Sequence, residues 1–329
     1  MSQKMDKRVV VVGTGGTIAG SAASASDNIG YRAAEIGVGQ LLDALPGLTE
    51  ALGGCQLVSE QVAQIDSKDM SLKVWHALAN RVQYHLALPQ VEAVVITHGT
   101  DTLEETAFFL HCVLPAELIN AKPVVLTCAM RPASSRAPDG PQNLLDATAV
   151  ALAPGAHGVV VVCAGMVHSA ADVQKAHTYR LDAFTSGDAG ALACVEEGRV
   201  RQFRAWPSVA KGVVRGALDA PFAKTSLPRV EIVTSHAGAS GAMIDALVLN
   251  LPGAQPLAGI VVAATGNGTM HSEIEEALRR AQARGIRVVR STRCANGQVL
   301  PTPDAEFDDS AGLSPVKARI ALMLELAAA

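Results

Sequence analysis

RVVVVGTGGTIAG, residues 8–20, decides the fold. Its four consecutive valines leave no polar face, so the segment reads as a strand buried on both sides, the habit of a parallel sheet covered by helices. It then runs straight into a turn dense in glycine and threonine. The same grammar recurs along the chain. Apolar, β-branched runs at 93–97, 123–127, 158–163, 230–234, 259–264 and 286–290 read as further buried strands. Helical periodicity lies between them. Residues 72–87 place Val74, Leu78, Val82 and Leu86 on one face. Residues 103–114 follow Thr102-x-x-Glu105, a capping box. Residues 143–153 form a third helix. Residues 273–284 follow Ser272 as N-cap and stop at Gly285, and a last helix starts at Ser314-Pro315. Strands alternating with helices predict a doubly wound, flavodoxin-like α/β domain. The rhythm breaks over 196–228, where charges and prolines predict a β-hairpin and a linker. The expected organisation is therefore a larger N-terminal α/β domain at 1–200, a linker at 201–228 and a smaller C-terminal α/β domain at 229–329.

Composition removes several function classes. The 329 residues are 49% hydrophobic and 18% charged, with a net charge of −4, which gives a globular chain with no overall attraction to nucleic acid or anionic membrane. Aromatics are only 3%, too few for a base-stacking platform. No apolar run approaches the roughly 18 residues of a membrane-spanning helix. The apolar stretch after Lys4, Lys7 and Arg8 is too short for a secretion signal, so a cytoplasmic protein is expected. The six cysteines form no C-x-x-C pair and lie mostly in apolar surroundings, which predicts reduced, buried thiols and no zinc site.

Known motifs fail one by one. The dinucleotide fingerprint needs a third glycine where Ile18 stands. The one Lys-Thr pair, Lys224-Thr225, has no glycine before it, and neither G-x-S-x-G nor H-E-x-x-H occurs. What remains is two polar turns at carboxyl ends of buried strands, where open α/β sheets bind ligands. One is Gly13–Gly20 and the other is Thr97-His98-Gly99-Thr100-Asp101-Thr102. Glycines free backbone amides for an anion, and a threonine hydroxyl beside a base and an oxyanion hole is a nucleophile. Tight turns with threonine caps are the alternative reading of the same residues. His98 reads as a structural histidine.

The segments TGGTIAG (14–20) and THGTDTLEETAFFL (97–110) resemble the two signature segments of the bacterial-type L-asparaginase family. Ile65–Met70, Ala129–Pro132, Asp139–Leu144, Asp172–Lys175, Gly266–Gly268, Asp304–Glu306 and Ser314–Arg319 extend the resemblance in order over nearly the whole chain. The resemblance implies hydrolysis of the side-chain amide of L-asparagine, and to a lesser extent L-glutamine, without metal or cofactor. It implies Thr17 as a nucleophile on a flexible lid that includes the small polar loop 21–27, and Tyr31 as its orienting partner. Thr100, Asp101 and Lys175 form the second catalytic group, with backbone amides near Thr100 for the oxyanion. Ser67, Lys68, Gly99, Ala129 and Asn267 fall at substrate-binding positions, with Thr269 on the loop of Asn267. Glu306 resembles the acid that reaches a neighbouring subunit's site, which implies a homotetramer built from dimers with shared sites.

The chain departs from the pattern at Lys68, where glutamine or glutamate is common, at Ala171, where arginine is common, and in a short segment after Asp309. Lys68 places a charge beside the amino-acid head group and bears on asparagine-versus-glutamine preference. The short stretch before the first strand argues against the tRNA-dependent amidotransferase subunit of the same superfamily. A balanced glutaminase–asparaginase is the competing enzymatic reading. A non-catalytic amino-acid-binding protein would need a disabled nucleophile or base, whereas Thr17, Thr100, Asp101 and Lys175 are all present.

Overall fold

The computed structural model describes residues 7–208, 227–249, 253, 255–303 and 305–329. The chain divides into two compact units, Met1–Val213 and Val214–Ala329. Residues 209–226 of the expected linker, and Asp304, lie outside the described residues.

The first unit is built on strands β1 (Arg8–Gly15), β2 (Gln56–Ile65), β3 (Val91–Thr97), β4 (Pro123–Thr127), β5 (Gly158–Cys163), β6 (Met166–Ser169), β7 (Gln174–Lys175), β8 (Phe184–Thr185), β9 (Ala193–Glu196) and β10 (Arg199–Gln202). Eight of them form one sheet in the order β10-β9-β6-β5-β4-β3-β1-β2, and β7 pairs with β8. Neighbours from β5 through β2 are parallel, and the β5–β6, β6–β9 and β9–β10 pairs are antiparallel. The sheet is thus parallel-dominated, with an antiparallel side that the apolar runs do not announce. The switch occurs at Ala164 and Gly165, both left-handed (φ 49° and 74°), the two-residue turn that folds a strand back on its neighbour. Glu197 and Gly198 (φ 48° and 70°) make the same turn between β9 and β10. That is the expected hairpin, beginning three residues earlier than predicted. β2 is absent from the sequence reading because it lies at the sheet edge and is part-exposed along its length, so its residues QLVSEQVAQI need not be apolar.

Helices α1 (Val38–Asp43), α2 (Leu48–Ala51), α3 (Leu72–Ala87), α4 (Leu103–Val113), α5 (Ala116–Ile119) and α6 (Gly140–Ala151) cover the sheet. Val9, Val11, Ala93, Val95, Val125, Val160 and Val162 pack with Leu42 of α1 and Leu144, Ala147 and Val150 of α6. The alternate residues Val10, Val12, Val94 and Ile96 are equally buried, with α3 packed against β3 and α4 against β5. Both faces of the central strands are therefore dry, as four valines in a row require.

The second unit carries β11 (Arg229–Thr234), β12 (Leu257–Ala264), β13 (Arg287–Thr292) and β14 (Asp308–Asp309), all parallel and in that spatial order. Its helices are α7 (Ala242–Val248), α8 (Ser272–Gln282) and α9 (Pro315–Ala328). The cap of α8 is His271, whose side chain accepts the Glu273 N–H, and not Ser272 as expected. Helix α9 has its proline at the first turn, but the Ser314 hydroxyl makes no capping bond. All six cysteines are free thiols. Cys112, Cys128, Cys163 and Cys194 are buried, Cys55 is part-buried and Cys294 is exposed.

Candidate active site

Strands β1 and β3 are adjacent and parallel, so the turns that follow them emerge at the same end of the sheet. They also touch. Gly16 is left-handed (φ 84°), and a Cβ there would lie closer than 3.0 Å to the Cα and N of Gly99. A Cβ on Gly99 would in turn lie closer than 3.0 Å to the Ser67 hydroxyl. Glycine at these positions lets three backbones meet, and Thr17, Ser67 and Thr100 are carried there together. The Thr14 hydroxyl donates to the Thr97 carbonyl (2.9 Å), tying the two turns at their base.

Two side-chain groups face this junction. Thr17 Oγ1 and Tyr31 Oη are 2.6 Å apart. Burial pushes the Tyr31 phenol above its ordinary pKa, and the Asp66 and Asp101 carboxylates add to that effect against the opposing Thr17 hydrogen bond. Tyr31 is therefore a neutral phenol throughout the neutral range. The second group is Lys175 on β7, whose Nζ donates to Thr100 Oγ1 (2.8 Å) and to Asp101 Oδ1 (2.6 Å). The Lys175 side chain is mostly buried and Asp101 is about half exposed.

The loop between Thr17 and Tyr31 is pinned. Ser21 and Arg32 exchange two backbone hydrogen bonds, Ala133 N–H donates to the Gly20 carbonyl, and Arg136 N–H donates to the Ala25 carbonyl. Ala22 N–H also donates to the Ser134 hydroxyl (2.8 Å).

Ser67 accepts the Asp101 N–H on its hydroxyl (3.1 Å), and its carbonyl accepts the Thr102 hydroxyl (2.8 Å). Thr102 is thus not the capping-box residue its spacing predicts. Its hydroxyl is diverted from α4 to the Ser67 turn, and the helix start carries no side-chain cap. The Lys68 ammonium lies between Asp66 (3.1 Å) and Asp69 (2.9 Å), and those carboxylates raise its pKa. Its charge is therefore compensated within its own turn. Ala129 is fully buried just beyond β4. The segment that holds it is fixed from α6, because Asp139 accepts the N–H groups of Met130 and Arg131 (2.9 Å each) and Asn143 donates to the Cys128 carbonyl (2.9 Å).

His98 is fully buried, and its hydrogen bonds have one consistent direction. The Gly99 carbonyl only accepts, so Nδ1 carries the proton (2.7 Å). Nε2 must then accept from the Thr106 hydroxyl (2.9 Å), whose oxygen accepts the Trp75 indole N–H (2.8 Å). The histidine is structural, as expected. It fixes the Gly99 carbonyl, and peptide planarity then aims the Thr100 N–H the opposite way. That N–H has no acceptor among the described residues. Burial lowers the pKa of His98 to about 4, from 6.5 in an open chain. Between those values the unfolded state binds the extra proton, so stability falls as pH drops through the window. Denaturant titrations are expected to lose about 3 kcal/mol from this group between pH 6.5 and 4. The pH slope of His98→Gln should be shallower by that amount, and equal slopes would count against the neutral buried ring.

The two remaining expected residues lie in the second unit. Asn267 exchanges hydrogen bonds with the backbone of Leu300, accepting its N–H (2.7 Å) and donating to its carbonyl (3.4 Å). Glu306 pairs with Arg279 of α8 at 2.8 Å. Each is occupied by a partner of its own unit. Thr14, Thr102, Asp139 and Asn143 were legible only as turn or helix residues, because their roles depend on which turns meet in space.

Comparisons with known proteins bear on the family and the fold. The family profile "Asparaginase, N-terminal" matches residues 8–207, and "Glutaminase/Asparaginase C-terminal domain" matches residues 229–329. L-asparaginase 2 of Bacillus subtilis is 35% identical over 99% of this chain and 84% of its own length. A glutaminase-asparaginase of Pseudomonas fluorescens is 37% identical over 97% of this chain and 86% of its own. The crystal structure of a probable cytoplasmic L-asparaginase from Campylobacter jejuni superposes with a TM-score of 0.85 at 36% identity, covering 97% of this chain and 95% of that one. Two profiles in chain order, full-length relatives and a matching fold place this chain in the asparaginase family of amidohydrolases.

Proposed function

We propose that the chain hydrolyses the side-chain amide of L-asparagine to L-aspartate and ammonia, with Thr17 as nucleophile and a lesser activity on L-glutamine. The observation that carries this reading is the contact of the Gly16 and Gly99 turns, which brings the Thr17–Tyr31 pair and the Lys175–Thr100–Asp101 group to one end of the sheet. Thr17 Oγ1 bonds to the amide carbon as its proton passes by way of Thr100 to Lys175, which takes it up in its neutral amine form. The Thr100 N–H stabilises the oxygen as it gains charge. A single donor of this kind typically contributes about 3 kcal/mol. The C–N bond breaks, the nitrogen leaves as ammonia with a proton returned to it, and water cleaves the threonine ester to aspartate. Ser67 holds the α-carboxylate, with Gly99 and Ala129 forming the backbone wall, and Asp101 faces the α-ammonium.

A balanced glutaminase–asparaginase is the second reading. It is favoured by one observation: relatives named glutaminase-asparaginase and relatives named L-asparaginase match this chain at similar identity. Ammonia release from both amides separates the two. The first reading expects a clearly higher kcat/KM on asparagine, equal values would establish the second, and no release from either would overturn both. We also propose a cytoplasmic homotetramer built from dimers in which Glu306 and Asn267 serve a neighbouring site. The Campylobacter neighbour, named a probable cytoplasmic L-asparaginase, supports the compartment, whereas a Haemophilus influenzae relative carries a periplasmic name. Size-exclusion chromatography of the same preparation tests the assembly.

A further inference from the structure

We propose that a cavity between α2, α6 and the β9–β10 hairpin is a binding site for a small organic cation with an apolar body. The cavity has a volume of about 830 Å³, within the range of small-molecule sites. Asp146 of α6 lines it. This residue is only 5% exposed, and its one hydrogen-bond partner among the described residues is Gln142, which donates to Oδ1 (2.8 Å). Oδ2 is left without a donor. Oδ2 opens on the cavity, and burial of the rest of the side chain raises the Asp146 pKa against the opposing Gln142 hydrogen bond. A cation entering the cavity would supply the missing donor and charge.

The rest of the lining fits such an occupant. Leu145, Ala149, Leu152 and Trp206 give an apolar wall. The charged groups facing Asp146 across the cavity are Glu50 beside it on α2, and Glu197 and Arg199 on the hairpin, so acids outnumber bases. An aromatic side chain and a carboxylate lining one cavity suit an ammonium or amidinium carried on a hydrophobic group. The site is separate from the Thr17 junction and does not depend on the proposed reaction. None of Thr17, Tyr31, Ser67, Thr100, Asp101 and Lys175 lines the cavity.

Benzylamine is the probe, titrated against the full-length protein by calorimetry and by Trp206 emission, with benzyl alcohol as its neutral counterpart. Saturable one-to-one binding of the amine, at least about tenfold weaker for the alcohol, is expected. The emission change should vanish in Trp206→Phe. Asp146→Asn should weaken binding at least tenfold. In the wild-type protein, affinity should fall as acid protonates Asp146 while the amine stays charged. Absence of saturable binding, equal affinity for the alcohol, or undiminished binding by Asp146→Asn would overturn the proposal. Ammonia release is not a readout here, so failure of this site and failure of the proposed hydrolysis are separable.

Discussion

Thr17→Ala is expected to fold and assemble like the wild-type protein and to hydrolyse asparagine at least about 10³-fold more slowly, the scale seen when a covalent nucleophile is removed. The side chain is almost fully buried, yet among the described residues the one hydrogen bond its hydroxyl makes is to Tyr31 at 2.6 Å. Removing it costs little structure, because the lid is held by backbone bonds between Ser21 and Arg32 and by bonds to residues 133–136. The loss should therefore appear in kcat with thermal unfolding nearly unchanged. A neutral Tyr31 cannot take over as a phenolate nucleophile near pH 7, since burial and the nearby Asp66 and Asp101 hold its proton in place. Measurement of kcat, KM and melting temperature on the purified variant checks this. A tenth of the wild-type rate would remove Thr17 from the proposed role, whereas a collapsed melting temperature would show that the hydroxyl is structural.

The parallel core was legible in the sequence because burial on both faces forces an unbroken apolar run, as in Val9–Val12 or Val159–Val162. The antiparallel side was not. Its strands are short, and their direction depends on Ala164-Gly165 and Glu197-Gly198 adopting left-handed conformations, which Ala and Glu do not advertise. Strand β2 was hidden by its exposed edge position. At the site, Thr17, Thr100 and Asp101 could be picked out as polar residues at strand ends, but nothing local connects them to Lys175, 74 residues beyond Asp101. That partner came from family resemblance alone. The diversion of Thr102 from helix cap to Ser67 shows the opposite failure. A correct local rule was overridden by a tertiary acceptor that the spacing could not reveal.

Gly16→Ala is expected to be among the most damaging single-methyl changes in the first unit. Two costs add. The residue sits at φ 84° and ψ −172°, a region essentially reserved for glycine, where an L side chain carries roughly 1–3 kcal/mol of strain. The new methyl would also press on the Cα and N of Gly99 and the carbonyl carbon of His98, all backbone atoms that no rotamer change can withdraw. Overpacking of that kind typically costs about 1–3 kcal/mol. A total near 3 kcal/mol corresponds to a melting temperature lower by about 6–12 °C for a domain of this size. Relief is available only by parting the two turns, which moves Thr17 away from Thr100. A displacement of about 1 Å commonly costs about 10²-fold in rate. Gly155→Ala is the control for a positive φ without a clash, because Gly155 has φ 74° and nothing within 4 Å of a Cβ. That variant should lose only the strain energy and keep full activity. If Gly16→Ala proved no worse than Gly155→Ala in either stability or kcat/KM, the two turns would not be in contact, and Thr17 and Lys175 would have no common site in which to act.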